Sequence, residues 1–188
     1  MTKSVLDRDI DRVLLTQEEI QRITSRIAAQ IDRDFRASTR LLLLGILKGS
    51  VVFMGDLMKK VTVPVEIDFM KVSSYTEGTE SSGRINILLD LNRADLSECD
   101  VLIVEDIIDS GRTLSYLVEY LRLNGAKSVH TCTLLDKPSR RVVAFTPDYV
   151  GYEIPDEFVV GYGLDYAEQY RTLPYIGILK PDIYTKKK

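Results

Sequence analysis

A chain of 188 residues can bury one sizeable core and is too short for two comfortable domains, so one domain with an appendage is expected. Hydrophobic residues at 45% and charged residues at 28% exclude disorder, and a net charge of -3 leaves no footprint for bulk nucleic-acid binding. Two cysteines, Cys99 and Cys132, are too few for a disulfide framework or a zinc site, and the single histidine, His130, leaves no room for multi-histidine metal centres.

Residues 1–15 alternate charged and apolar positions without the apolar core of a signal peptide, and no run reaches membrane-spanning length, so a cytoplasmic protein is expected. Thr16 and Glu19 fit a capping box ahead of the periodic run Ile20, Ile23, Ile27, Ala28 and Ile31, which predicts an amphipathic helix ending near Phe35. Residues 40–47 form a continuous apolar run of strand length. Lys48-Gly49-Ser50 follows, then a helical run over 51–60. The order Lys-Gly-Ser does not match a triphosphatase phosphate loop, but a lysine and open amides at a helix start suit an anion. The same three residues also make an ordinary connecting turn.

Residues 65–73 alternate as a strand, 84–89 read as its return, and 74–83 between them are small and hydroxyl-rich. Such a segment is either a lid or an idle hairpin tip. The richest stretch is 101–113. Four apolar residues predict a strand buried on both faces, and Glu105 and Asp106 stand where it should end. Two carboxylates at the edge of a core are costly unless a metal, a hydroxyl-rich ligand or a cation satisfies them. Asp109 and Ser110-Gly111-Arg112-Thr113 then turn the chain into the periodic run Leu114, Leu117, Val118, Leu121, which stops at Asn124-Gly125. Free amides at that helix start suit a phosphate, and the acids suit sugar hydroxyls, held directly or through Mg²⁺. The plainer alternative is that the acids end a strand and Ser110 caps a helix.

Residues 127–135 predict another strand, ending at a charged cluster in which Lys137 reads by itself as one solvated cation. Residues 149–165 hold two short aromatic-rich strands broken by Ile154-Pro155-Asp156. Gly161-Tyr162-Gly163 lacks the third glycine of a dinucleotide fingerprint, and Phe158 suits either a core or a stack on a flat base. Residues 175–179 read as a last short strand, and 186–188 as a solvated lysine tail.

The segment Glu-Asp-Ile-Ile-Asp-Ser-Gly-Arg-Thr resembles the phosphoribosyl pyrophosphate signature of the type I phosphoribosyltransferases, in the wording of their hypoxanthine-guanine branch. The resemblance runs from about 41 to 179 through several motifs in the right order. It implies that Ser110, Gly111, Arg112 and Thr113 grip a 5′-phosphate while Glu105, Asp106 and Asp109 face the ribose, with Asp109 also the catalytic base. It implies that Lys48, Gly49 and Arg171 bind pyrophosphate, and that Lys137, Phe158, Val159 and Asp165 hold the purine. Mg²⁺ would lie near Glu105, Asp106 and Asp165, and a mobile loop bearing Ser74-Tyr75 would close over the centre.

The expected fold is α/β, a parallel sheet flanked by helices, with a core over about 36–148 and a small hood from 1–15 and 149–188. The expected activity is Mg²⁺-dependent transfer of phosphoribose to hypoxanthine or guanine. Partners would be phosphoribosyl pyrophosphate and a 6-oxopurine, with no nucleic acid and no membrane. By resemblance alone the protein is a homodimer or homotetramer. Two other readings are a non-catalytic nucleotide-sensing regulator on the same fold and a phosphoribosyltransferase for another base.

Overall fold

The computed structural model of the protein describes residues 4–77, 80–92 and 95–185, with side chains described outside 74–84. Strand β1 (Ile10–Leu15) leads into helix α1 (Gln17–Asp34), which opens with the predicted capping box: Thr16 accepts from the Glu19 amide while the Glu19 carboxylate accepts from Thr16. There follow β2 (Leu41–Leu47), α2 (Val51–Met58), β3 (Val65–Glu77), β4 (Glu80–Leu89) and β5 (Asp100–Ile108). Helix α3 (Arg112–Leu123), β6 (Ser128–Asp136), β7 (Tyr149–Glu153), β8 (Val159–Val160), β9 (Ile176–Leu179) and the short α4 (Pro181–Tyr184) complete the order.

Six strands form the main sheet in the order β4-β3-β2-β5-β6-β7. All neighbours are parallel except β3 and β4, whose antiparallel hairpin gives the sheet one edge. The sheet is therefore mixed rather than wholly parallel, because β4 is the direct return of β3. A three-stranded sheet, β1-β9-β8, is antiparallel throughout and draws its strands from both ends of the chain. The 149–153 strand pairs with β6 in the main sheet, so only the later strand of the Tyr- and Gly-rich segment joins the small one.

Alternation along the buried strands separates two cores. Leu41, Leu43, Leu102 and Val104 face α1 and α2, and the small sheet adds Val159, Ile176 and Ile178 to that side. Leu42, Leu44, Val101 and Ile103 face α3. The helices thus cover opposite faces. Chain direction explains why: the β2–α2–β3 unit moves one way along the sheet and β5–α3–β6 the other, so β2 and β5 part company at their carboxyl ends. Open α/β sheets bind ligands in the crevice at such a point.

Two boundaries differ from the expectation. Strand β5 runs through Glu105 and Asp106 to Ile108, because β6 keeps pairing with it (Ile107↔Leu135, Ile108↔Asp136) after β2 has stopped at Gly45↔Val104. The hydroxyl-rich segment carries ladder pairs too, Thr76↔Ser81 and Glu77↔Glu80, so the hairpin arms reach well beyond the predicted strand ends. Backbone pairing does not need a buried face, so the missing apolar pattern there was no bar. Among the described residues, no helix is long and apolar enough to cross a membrane.

Candidate active site

The two acids lie where β5 has lost its β2 neighbour and still has β6. Successive strand residues face opposite ways, so they serve different clefts. Glu105 lines a cleft with Ile108, Asp109, Ser110, Gly111 and Thr113. Asp106 lines a second cleft with Lys137, Phe158, Val159, Leu164 and Asp165. Ile107 and Asp109 belong to both. The Asp109 carboxylate therefore stands on the ridge between them, half exposed.

The first cleft is built by the turn into α3. Gly111 is the residue before the helix and has φ 79°, a left-handed conformation that a side chain would strain. No side chain caps this helix start, while the Ser110 hydroxyl accepts from the Arg112 amide at 3.3 Å. Most first-turn amides are thus left for a ligand. Arg112 is exposed beside this cleft rather than lining it, while Thr113 lines it. The turn is braced from behind: the amides of Val142 and Val143 donate to the Ser110 carbonyl, and Arg141 donates to the Asp109 carbonyl and to the Asp136 carboxylate. Arg141 belongs to the charged cluster that follows β6. Only its distance from Asp109 in the chain hides the bracing role.

The second cleft holds Lys137, which is 8% exposed and no solvated cation. Its ammonium donates to the Glu157 carbonyl at 2.9 Å and lies 3.6 Å from Asp109 Oδ1. With three donors and one firm acceptor, it keeps capacity for a ligand oxygen. Phe158 is 37% exposed, which removes the core alternative. Tyr184 stacks on it at 4.8 Å between centroids, and Tyr166 meets it edge-on at 5.6 Å. Val159 is buried in β8, its position fixed by pairing with Ile178.

The Lys48-Gly49 turn adjoins the second cleft. A Cβ on Gly49 would fall 1.7 Å from Asp106 Oδ2, so only glycine lets this backbone lie against the acid. The Leu47–Lys48 peptide is cis. Lys48 pairs with Glu168 at 3.0 Å. Arg171 pairs with Asp165 at 2.8 Å and with Glu168 at 3.4 Å, and donates to the Gly163 carbonyl at 2.7 Å. Lys48 and Arg171, the cations expected to meet pyrophosphate, therefore share one acid, Glu168, and a lone glutamate in a loop carries no local signal. Ser74 and Tyr75 lie on the backbone of β3, and their side chains are outside the described residues.

Burial dominates the electrostatics of the two acids. It pushes the Glu105 carboxyl well above the ordinary range, with the Asp106 charge adding to the shift. Asp106 is raised to about 6 by burial, against the Ile107 amide and the Arg171 charge, which favour its ionised form. Glu105 Oε2 is buried without a hydrogen-bond partner. An unpartnered carboxylate oxygen of this kind fits a hard cation such as Mg²⁺. Among the described residues, no three His, Cys, Asp or Glu side chains gather into a metal cage. The three acids expected near Mg²⁺, Glu105, Asp106 and Asp165, therefore do not form such a group.

Comparison with known proteins agrees with this geometry. The family described as the phosphoribosyl transferase domain matches residues 13–167. The hypoxanthine-guanine phosphoribosyltransferase of Bacillus subtilis is 51% identical over 180 residues, covering 96% of this chain and 99% of that protein. The bifunctional protein TilS/HprT of Listeria innocua is 52% identical over 181 residues, but the chain spans only 28% of its length. A crystal structure of a hypoxanthine phosphoribosyltransferase from Staphylococcus aureus superposes with a TM-score of 0.93 at 49% identity, covering 98% of this chain and 99% of that one. The Trypanosoma cruzi hypoxanthine phosphoribosyl transferase gives 0.88 at 40% identity, covering 94% of each chain. By this length of match the chain belongs to the type I phosphoribosyltransferase family, among relatives of the hypoxanthine-guanine branch.

Proposed function

We propose that the protein is a purine-salvage enzyme. It transfers the 5-phosphoribosyl group from phosphoribosyl pyrophosphate to hypoxanthine or guanine and releases IMP or GMP and pyrophosphate. The observation that carries the reading is the position of Asp109, shared by an amide-lined cleft and a cleft with a buried lysine and an exposed aromatic ring. One ligand carrying a phosphate and a flat base would span the two.

In this reading the bond from the anomeric carbon to the pyrophosphate oxygen breaks as the bond to purine N9 forms, through a sugar carrying positive charge. The turn over 110–113 fixes the 5′-phosphate with its amides and hydroxyls. Glu105 and Asp106 face the ribose. Lys48, the Gly49 amide and Arg171 stabilise the charge that develops on the leaving group. Lys137 donates to the 6-oxo oxygen. Phe158, exposed at the cleft, would stack on the purine ring. Asp109 takes the proton from purine N7 as the new bond forms. Mg²⁺, when bound, would supply further positive charge, and Glu105, Asp106 and Asp165 are the acids that would hold it. A cytoplasmic homodimer or homotetramer completes the proposal on family grounds, and light scattering tests the assembly.

The test is pyrophosphate release from phosphoribosyl pyrophosphate and Mg²⁺ with hypoxanthine, guanine, xanthine and adenine in turn. Turnover with the 6-oxopurines, and a drop of about a hundredfold or more in kcat for Asp109→Asn, are expected from the usual size of general-base catalysis. Silence with all four bases refutes the enzyme reading and favours a regulator. Turnover with adenine alone refutes the substrate assignment.

A further inference from the structure

One oxygen of Glu168 serves both cations proposed for the leaving group. Its Oε2 lies 3.0 Å from the Lys48 ammonium and 3.4 Å from Arg171 Nη2. Both cations are the ones proposed to meet the diphosphate, so Glu168 and the anion would require the same protons. The pair is exposed, which leaves the carboxylate free to swing into water. Arg171, by contrast, is anchored from behind by the Gly163 carbonyl and Asp165, and its Nε is buried without a partner.

The loop that presents Glu168 is held in an unusual shape. Ala167, Glu168 and Tyr170 have φ of 51°, 63° and 73°, left-handed values that cost non-glycine residues energy. The Asp165 carboxylate accepts from the Glu168 amide at 2.9 Å, and Gly163 and Arg171 close the loop through a backbone bond of 3.0 Å. Strain of this kind persists where surrounding contacts enforce it, and it gathers at ligand clamps. Here the enforced shape delivers one carboxylate to two cations on separate parts of the fold.

We infer that Glu168 is a positioning residue that stands in for the leaving diphosphate: it holds Lys48 and Arg171 together and is displaced when pyrophosphate or the diphosphate end of the substrate arrives. The inference rests on the pyrophosphate role proposed for those two cations. Without the anion, Glu168 keeps like charges from repelling each other out of place. As product pyrophosphate leaves, the carboxylate returns and competes against rebinding. No covalent step is involved.

The test is calorimetric titration of inorganic pyrophosphate with Mg²⁺ into the full chain and four variants. Glu168→Gln is expected to tighten binding about fivefold, the worth of an exposed ion pair that no longer competes. Glu168→Asp, which keeps the charge but shortens its reach, is expected to tighten binding as well, whereas repulsion at a distance would leave it as in the parent. In a Lys48→Ala background the gain from Glu168→Gln is expected to shrink to the part that the longer Arg171 contact supplies, because the two cations share one carboxylate. The inference is overturned if Glu168→Gln binds no tighter, if Glu168→Asp matches the parent, or if the whole gain survives in Lys48→Ala. Lys48→Ala alone separates the two layers: unchanged pyrophosphate affinity would sink the anion site itself, and weakened affinity with inert Glu168 variants would sink only the stand-in.

Discussion

Gly163 rests directly on the carbonyl of Gly49: a Cβ at position 163 would fall 2.1 Å from that oxygen, and its φ is 102°. The contact docks the 163–171 loop, with Asp165, Glu168 and Arg171, onto the turn that carries Lys48. Gly163→Ala therefore has to move one of the two segments. The expected result is a loss of about tenfold or more in kcat/KM for phosphoribosyl pyrophosphate, since small displacements of positioning groups are costly. A stability loss of about 1–2 kcal/mol in urea unfolding should accompany it, from the left-handed alanine. A variant with parent kinetics would show that the loop and turn need not touch.

Lys137 is buried beside Asp109 with one ammonium donor already committed to the Glu157 carbonyl. Lys137→Ala should weaken hypoxanthine binding by about tenfold to a hundredfold, the usual range for a hydrogen bond from a charged group. Discrimination against 6-amino purines should fall with it, because the site would no longer reward an acceptor at that position. Affinity for phosphoribosyl pyrophosphate should change much less. Equilibrium binding of each ligand to the variant decides the matter, and a uniform loss for both would point to collapse of the cleft.

Arg141 ties the carbonyl of Asp109 to the carboxylate of Asp136, and so joins the turn into α3 to the strand end that leads into Lys137. Both side chains of the ion pair are mostly buried. Arg141→Ala would leave the Asp136 carboxylate uncompensated, and the expected cost is about 3 kcal/mol in denaturant unfolding. Arg141→Lys should recover only part of it, because an ammonium cannot fork between two acceptors as a guanidinium does. Equal stability for Arg141→Lys and the parent would show that charge alone matters there.

These three positions also mark how far the sequence could be read. The strand-turn-helix units were legible because apolar periodicity, the Thr16 capping box and the Asn124-Gly125 stop are local signals. The acids, hydroxyls and glycine of 105–113 were legible as a motif, and the family resemblance singled out Lys137, Phe158, Val159 and Asp165, which line one cleft. Lys137 looked like a solvated cation because its burial depends on Glu157, which a different segment supplies. Glu168 and Lys48 lie 120 residues apart, and no local pattern ties them together. The acids were expected at a strand end since charge usually stops a buried strand. Pairing with β6 on one side alone was enough to carry β5 past them.

Asp100 opens β5 at the end of the sheet away from the acids, and it offers a clean separation of stability from activity. Its carboxylate accepts from Ser38 at 2.6 Å, Ser128 at 2.8 Å and Lys127 at 3.0 Å. Burial pushes its pKa up, but these three donors outweigh burial and hold it below the ordinary carboxyl value. The folded state therefore binds this proton less readily than the unfolded chain. Its stabilisation is complete above the unfolded pKa of about 4 and is lost as pH falls through the depressed folded value. Asp100→Asn should cost about 2 kcal/mol at pH 7, where charged hydrogen bonds are exchanged for neutral ones. That deficit should narrow below a pH of about 4, as the parent loses what the variant never had. Urea unfolding of both proteins from pH 7 to pH 3 checks the trend, and turnover at pH 7 should be unaffected. A deficit that stays constant across the range would mean that the Asp100 cluster stabilises the fold by shape and not by charge.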